Sequence, residues 1–192
     1  MSTARRCLLS LALCCSLLLT LSVMAQNQTP PVPQKLSLTA ALVLTPEFCA
    51  TVFKGGIAET YLVGKTACID LEPVLKGIFT SLARVDDSSK AGDAQVVLEP
   101  KFSDAHATSA GSAWTTREMV VLVEWTARDQ SGRAVWIETV QGSAQHKTGN
   151  VFQQGSNVKH LVEDSVQNMA EQSAAKMSSS PQLLKLSAQP VK

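Results

Sequence analysis

The sequence predicts an α+β fold, in which two helices pack on one face of a mainly antiparallel sheet in β-α-β-β-β-α order. Apolar residues alternate along Leu36–Leu44 and along both arms of Trp114–Gln145, which is the period of a half-buried strand. Apolar residues recur every three or four positions along Leu71–Val85 and Val158–Met177, which is the period of one apolar helix face. Together these segments contain most of the Leu, Val and Ile from which a core can be built.

Residues 1–25 have the features of a secretory signal peptide. Arg5 and Arg6 precede the apolar run Cys7–Val23, and small residues near Ala25 allow cleavage there. The run is short and wrongly flanked for a membrane span. We therefore expect export, with a periplasmic or secreted mature protein that begins at Gln26.

Lipidation is the alternative processing route. Cys14 and Cys15 lie inside the apolar run, and Leu11–Cys14 is similar to a bacterial lipobox. Leu13 stands where that motif has Gly, Ala or Ser. The residues therefore leave three outcomes open: plain secretion, association with the outer membrane, and anchoring in a membrane.

Composition limits the classes of function. Removal of residues 1–25 takes away two of the 17 basic residues and none of the 16 acidic residues, which leaves a net charge of −1. A near-neutral chain without a block of Lys and Arg does not favour nucleic-acid binding. Cys49 and Cys68 are the two mature cysteines, and in an oxidising compartment they are expected to form one disulfide.

The mature chain begins with a tether. Residues 26–34 are polar and rich in Pro, and they predict an extended spacer. Residues 35–192 then predict a single α+β domain. Its first strand is Leu36–Leu44, and a loop that includes Gly55 and Gly56 leads to the first helix.

The first helix is expected to begin near Asp70, because Pro73 is tolerated only in a first turn, and to end after Val85; a first turn from Thr66 with a kink at Pro73 is the alternative. Ala94–Ser103 predicts the second strand, with Pro100 at an edge or a bulge. The loop 104–112 and the hairpin follow. The second helix is expected over Asn157–Ser178, and Pro181 ends it.

The hairpin predicts a contact surface. Asp129 and Gly132 fit a type I turn followed by a G1 bulge. That register gathers an apolar face from Val121, Val123, Trp125, Ala127, Val135 and Ile137. The opposite, mixed face carries Glu124, Thr126, Arg128, Trp136 and Glu138. A two-residue loop would instead pair Trp125 with Trp136, but it would divide the apolar set between the two faces.

Trp136 is then a large aromatic residue on the mixed face. Either a helix covers it, or it belongs to a patch that meets a partner. We predict partner contact through Trp136 with Glu124, Thr126 and Glu138 around it.

Motifs for catalysis are weak. His106 lies two residues after Asp104, which would suit a hydrolase, but a solvated loop histidine explains this pair more simply. The spacing of the histidines predicts no metal site, and no motif predicts a cofactor. Val63–Thr66 resembles the end of a P-loop, but Glu59 stands where the motif needs its first glycine.

The order of elements carries a resemblance. The signal peptide, the Pro-rich tether, Tyr61–Gly64 before a helix, the stretch Val123–Trp136 and the terminal helix resemble small envelope proteins of Gram-negative bacteria. Many of these are lipoproteins of uncharacterised function, and the order is similar to that of lipopolysaccharide-assembly lipoproteins. The resemblance implies an envelope location and a protein or membrane-associated complex as partner.

The prediction is therefore a non-catalytic accessory or binding module of the cell envelope. It would dock to a larger partner through the mixed face of the sheet or an edge strand. The alternatives are a periplasmic hydrolase that uses His106, a thiol-redox protein that uses Cys49 and Cys68, and a protein that binds an apolar ligand between its second helix and the sheet.

Overall fold

A computed structural model describes residues 34–55, 60–109, 116–147 and 154–189, with only the backbone for 109 and 154–157. The predicted signal peptide and all of the predicted tether except Gln34 lie outside these residues, as does Trp114. The described segments form a sheet with helices, in chain order β1 (Leu36–Val43), α1 (Pro46–Cys49), β2 (Phe53–Lys54), β3 (Thr60–Tyr61), α2 (Val63–Lys76), β4 (Phe79–Val85), β5 (Val96–Ser109), β6 (Thr116–Asp129), β7 (Ala134–Lys147), α3 (Gln154–Ser179) and α4 (Pro181–Ser187).

The main sheet is mixed, with five strands in the order β4-β1-β5-β6-β7. Strand β1 pairs in parallel with both β4 and β5, and β5, β6 and β7 form an antiparallel meander. The α+β class is confirmed. The expectation of a mainly antiparallel sheet in β-α-β-β-β-α order was wrong, because the structure has more strands and two of the pairings are parallel.

The extra strand comes from the end of the first predicted helix. Helix α2 begins at Val63 and contains Pro73, so the expected start near Asp70 was wrong. It ends at Lys76, and Phe79–Val85 continues as β4 beside β1. The pairing shifts between Leu36 and Thr39, where two residues of β1, Ser37 and Leu38, lie opposite the single residue Thr80 of β4. Phe79 and Leu82 are both buried, three residues apart, although they lie on a strand. Because of this spacing, the strand looked like helix in the sequence.

The hairpin has the expected turn but a different register. The Gly132 amide donates to the Asp129 carbonyl, and Gly132 has a φ of +79°, as the type I turn with a G1 bulge requires. Ala134 then faces Arg128 and Trp136 faces Ala127, so Val135 is an extra residue. This second bulge moves every later residue of β7 to the opposite face from the one predicted.

One face of the sheet is covered by the helices. The buried side chains of α2 and α3 form a single apolar cluster with the inward side chains of the strands. Trp125 is fully buried there, and its indole Nε1 donates to Ser173 Oγ on α3 at 2.9 Å. At Gly142 on β7, an added Cβ would overlap the backbone of α3 near Ser165 and Met169. Helix α3 therefore lies directly on the sheet at this point.

Pro100 lies inside the sheet without breaking it. Strand β1 reaches β5 only at Val96–Leu98, and Pro100 lies beyond the end of that pairing. On its other side, Pro100 faces Trp125 of β6. We infer that the missing N–H faces the unpaired side, so Pro100 occupies a local edge of β5.

A disulfide joins α1 to α2. Cys49 and Cys68 are bonded, with 5.6 Å between their Cα atoms, and this confirms the predicted pairing. The Gly64 amide donates to the Thr51 carbonyl at 3.0 Å, so the start of α2 also lies against the turn after α1. Among the helices described, none combines the length and the apolar character that crossing a bilayer requires.

Candidate interaction surface

The four predicted contact residues do not share one surface. Glu124 and Thr126 lie on the face of the sheet opposite the helices, where Thr126 faces Ile137 of β7. Trp136 and Glu138 lie on the helix side, because of the second bulge. Trp136 is only 7% exposed and belongs to the core. Trp136 is therefore covered on the helix side of the sheet, which was the alternative to partner contact.

The outer edge of β7 is partly guarded by α3. The Ser143 amide donates to Asn168 Oδ1 at 3.1 Å, and Lys176 Nζ donates to the Thr139 carbonyl at 3.4 Å. His146 Nε2 also lies 2.6 Å from Asp164 Oδ2 on the same helix. These side chains occupy backbone groups that an edge strand would otherwise offer to another strand.

The beginning of β7 is not guarded in this way. A groove of about 610 Å³ runs beside it, and we call it the β7 groove; its lining is Ala134–Glu138 from the strand, Lys176 and Ser179 from α3, and Ser180, Pro181 and Gln182. Ile137 is 62% exposed here, although it is a large apolar residue. An open groove beside a strand edge is a shape that can accept an extended peptide.

The groove exists because the helical segment turns. Helix α3 ends at Ser179, and Ser180 caps α4 by accepting a hydrogen bond from the Leu183 amide through its Oγ. Pro181 occupies the first turn of α4, where it needs no amide hydrogen. Leu183 is fully buried, which ties α4 to the core. The chain therefore leaves the edge of β7 just where the groove opens.

Backbone groups of β7 point into this opening. The amide of Ser143 and the carbonyl of Thr139 face outward, since both bond to α3. Successive residues of a strand alternate, so the backbone groups of Ile137 also face outward. Among the described residues, no partner outside the sheet bonds to the backbone of Ile137. One donor and one acceptor are therefore available at this position.

Basic side chains predominate around the opening. Lys176 bonds to Glu138 at 2.5 Å inside the β7 groove. Arg133 and Lys185 line a smaller adjoining cavity that shares Ala134, Val135 and Gln182 with it. Arg133 also pairs with Asp129 at 3.0 Å, so Lys185 is the basic side chain of the two linings for which no ion pair is found among the described residues. An acidic segment would complement this charge.

The hairpin turn next to the groove is held by Asp129. Its carboxylate accepts hydrogen bonds from the Ser131 hydroxyl, the Ser131 amide and the Arg133 amide. The bond from the Ser131 side chain is the largest cause that holds the pKa of Asp129 below its ordinary value. The turn is therefore most ordered while this carboxylate is ionised.

His106 and Asp104 are brought together, but on a strand and not in the predicted loop. His106 Nδ1 lies 2.8 Å from Asp104 Oδ2, and both side chains are about half exposed. No hydroxyl or thiol in the described ranges is hydrogen-bonded to this imidazole. Within the described residues, the pair therefore has no nucleophile of the kind that a hydrolase site needs beside it.

An arginine lies against the disulfide. Arg84 Nη1 donates to the Cys68 carbonyl at 2.9 Å, and Nη2 lies 3.8 Å from Cys49 Sγ. Cys49 is partly exposed, whereas Cys68 is 6% exposed. After reduction, the guanidinium would stabilise a thiolate on Cys49.

Other titratable groups form no metal centre. In the part of the chain that the structure describes, no three His, Cys, Asp or Glu side chains are grouped so as to hold a metal ion. Asp70 on α2 has a raised pKa, first because of burial and second because of the nearby Glu163. This pair of acids lies between two helices and does not border the β7 groove.

Sequence reasoning missed the residues that define the groove. Asn168 and Lys176 are ordinary polar positions on a long helix, and their contacts with β7 depend on packing between distant segments. Pro181 was identified only as the end of the second helix. Ser180 followed by Pro181 was the one local signal that a new helix, and hence a corner, begins there.

Comparisons with known proteins support the fold alone. A crystal structure of a DUF330-family protein from Xanthomonas campestris is similar with a TM-score of 0.56 at 9% identity, over 76% of this chain and 86% of that one. A minor lipoprotein from Acinetobacter baumannii gives a TM-score of 0.46 at 14% identity, over 78% of this chain and 93% of that one. No protein-family model matches the chain, and no curated protein matches it. The likeness to the Xanthomonas protein therefore extends to the arrangement of strands and helices.

Proposed function

We propose that this protein is a non-catalytic binding module of the cell envelope, which holds an extended segment of a larger envelope partner along the open edge of β7. The observation that carries the proposal is the change along that edge from guarded to open. Asn168 and Lys176 occupy backbone groups at Ser143 and Thr139, whereas Ile137 faces the β7 groove with its backbone groups available. Strand addition at such an edge takes affinity from main-chain hydrogen bonds.

The residues also support a class of partner segment. The basic side chains around the opening favour an extended, acidic segment, and Ile137 offers an apolar contact beside it. Trp136 and Glu138 then serve the contact as walls of the groove, and Thr126 is next to Ile137 on the other face. The envelope location rests on the signal-peptide features of residues 1–25 and on the disulfide, which suits an oxidising compartment.

A proline substitution tests the edge directly. Ile137→Pro removes an outward amide without removing a hydrogen bond between β6 and β7. Gln141→Pro is the matched control, because Gln141 also faces outward but lies between the two positions that α3 guards. In affinity purification from solubilised native envelopes, we expect Ile137→Pro to lose a partner that the wild type and Gln141→Pro both retain.

The mixed face is tested in the same experiment. Glu124→Arg with Thr126→Arg changes the uncovered face of the sheet and leaves the edge intact. If this double variant loses the partner while Ile137→Pro retains it, the module docks through its face and the edge proposal is wrong. Circular dichroism and thermal melting check that each variant is folded.

Thiol–disulfide exchange is the second candidate function, and the position of Arg84 favours it. The proposed attack by an external dithiol would release Cys68 or Cys49 as a thiolate, and the external dithiol would become oxidised as the protein disulfide is reduced. Arg84 Nη2, which lies 3.8 Å from Cys49 Sγ, would stabilise the Cys49 thiolate. Titration of the disulfide against glutathione, with Arg84→Met as a comparison, measures this. A disulfide that resists millimolar glutathione equally in both proteins would exclude the exchange role.

A further inference from the structure

Of the four large apolar side chains that are exposed in the described segments, three border the β2–β3 pair or lie on α2. Val52 is 49% exposed, Leu62 is 50% exposed and Ile69 is 64% exposed. Phe53 pairs with Tyr61 and Lys54 pairs with Thr60; Val52 directly precedes β2 and Leu62 directly follows β3, so both residues lie at the same end of this short ladder.

Helix α2 brings the third residue to the same side. Leu62 is the N-cap of α2, and Ile69 follows it by seven residues, or about two turns. The exposed residue Pro73 continues this line for one more turn. Residues at this spacing lie on one face of a helix. The three side chains therefore form one apolar strip.

Two lysines border the strip. Lys54 of β2 is two residues from Val52, which directly precedes that strand, so the lysine lies close to the strip. Lys65 precedes Ile69 by one helical turn. Both lysines are exposed, and neither makes an ion pair with another described side chain. We call Val52, Leu62 and Ile69 with these two lysines the α2 patch.

Among the described residues, the acidic side chains that could neutralise the patch are fewer than its lysines. Asp70 faces Glu163 of α3, so it is turned away from the strip, and Glu72 pairs with Lys76 at 2.7 Å. Glu47 on α1 is the remaining acidic side chain in the neighbouring described segments. Even if it is counted with the rim, the two lysines outnumber it.

We infer that the α2 patch docks onto the surface of an anionic lipid bilayer. Apolar side chains flanked by lysines lie well at the boundary between headgroups and acyl chains, where lysines meet negative lipids. A stable protein interface buries about 800 Å² on each partner, which three half-exposed side chains do not supply. A small protruding strip can bind a membrane surface without burying so large an area. This inference stands independently of the β7 groove.

Vesicle binding tests the inference on the protein as it is exported. The probes are vesicles of phosphatidylcholine and vesicles of phosphatidylcholine mixed with phosphatidylglycerol. Leu62→Asp with Ile69→Asp changes the strip, and Ile137→Asp is the matched control at an exposed apolar residue elsewhere. We expect the double variant to bind the anionic vesicles at least tenfold more weakly than the control, and salt to weaken the wild type.

A second readout is independent of any membrane contact by the amino terminus. Ile69→Trp should show a blue-shifted fluorescence increment with anionic vesicles, and Ile137→Trp should not. Lys54→Glu with Lys65→Glu should lose binding to the anionic vesicles. Equal binding by the wild type and the Leu62/Ile69 double variant, together with no shift at position 69, would overturn the inference. The inference is also wrong if an acidic protein binds the strip and removes it from solvent while vesicles do not bind it. The patch is then a protein contact.

Discussion

The two parts of the outer edge of β7 show how one strand can be both protected and available. At Thr139–Ser143, α3 lies beside the strand and its polar side chains satisfy outward backbone groups. At Ala134–Glu138, the helix has ended and a groove replaces it. The strand is continuous across both parts, so the difference arises from the position of Ser179 and Ser180 and not from β7. The residue at which the covering helix ends thus decides which part of the edge strand is accessible.

The largest expected effect concerns the wall of the open part. Trp136→Ala should lower the free energy of unfolding by about 3–5 kcal/mol, because it removes a buried aromatic side chain from the core. Urea denaturation measures this loss. Ile137→Ala, at the exposed neighbour, should change the stability by only about 0.5 kcal/mol. Equal effects of the two substitutions would mean that Trp136 is not part of the core.

The next effect concerns the covered part. Gly142→Ala should lower the free energy of unfolding by about 3 kcal/mol, because the new Cβ would overlap Ser165 and Met169 and push α3 away from β7. Thermal and urea unfolding measure this cost, with Gln141→Ala as the exposed control. A Gly142→Ala protein as stable as the control would show that α3 does not lie so close to the strand.

Amide exchange compares the two parts within one molecule. We expect the Ser143 amide to exchange slowly and the Ile137 amide to exchange quickly, because only the first has an acceptor on α3. Asn168→Ala should make the Ser143 amide exchange as quickly as the Ile137 amide, and it should lower the free energy of unfolding by about 1 kcal/mol. Gln167→Ala, on the exposed side of α3, should leave it unchanged. Slow exchange at Ile137 in the wild type would indicate that the groove is closed.

The smallest effect concerns the turn before the open part. The folded pKa of Asp129 lies below the ordinary value of 3.8, so its stabilisation is present above that pH and is lost as pH falls through the folded pKa. The difference in melting temperature between the wild type and Asp129→Asn should therefore be constant above pH 3.8 and shrink below it. Asp93→Asn, on another exposed loop, is the control. A difference that does not change with pH would contradict the role given to this carboxylate.

The sequence predicted those parts of the fold that depend on local chemistry. The turn at Gly132 needs a residue with positive φ, and the long helix follows from the spacing of Val158, Leu161 and Met169. The disulfide followed from an isolated pair of cysteines in a chain whose sequence predicts export. Each of these features is specified by neighbouring residues or by a single chemical constraint.

The errors arose where one extra residue changed a pattern. A bulge opposite β4 gave Phe79 and Leu82 the spacing of a helix, and the extra residue Val135 moved Trp136 to the covered face. Neither bulge has a Gly or Pro signal at its position. The β7 groove could not be foreseen either, because it depends on how α3 packs against a strand that is distant in sequence.

The disulfide affects when the α2 patch can form. Val52 follows Cys49 closely, whereas Ile69 is next to Cys68, so the bond clamps together the two segments that build the α2 patch. Closing a loop of this length stabilises the folded chain by roughly 3 kcal/mol. Before oxidation, the two halves of the patch lack this clamp. With the proposed envelope location, oxidation of Cys49 and Cys68 would be a maturation step that completes the α2 patch only after the chain has left the reducing interior of the cell.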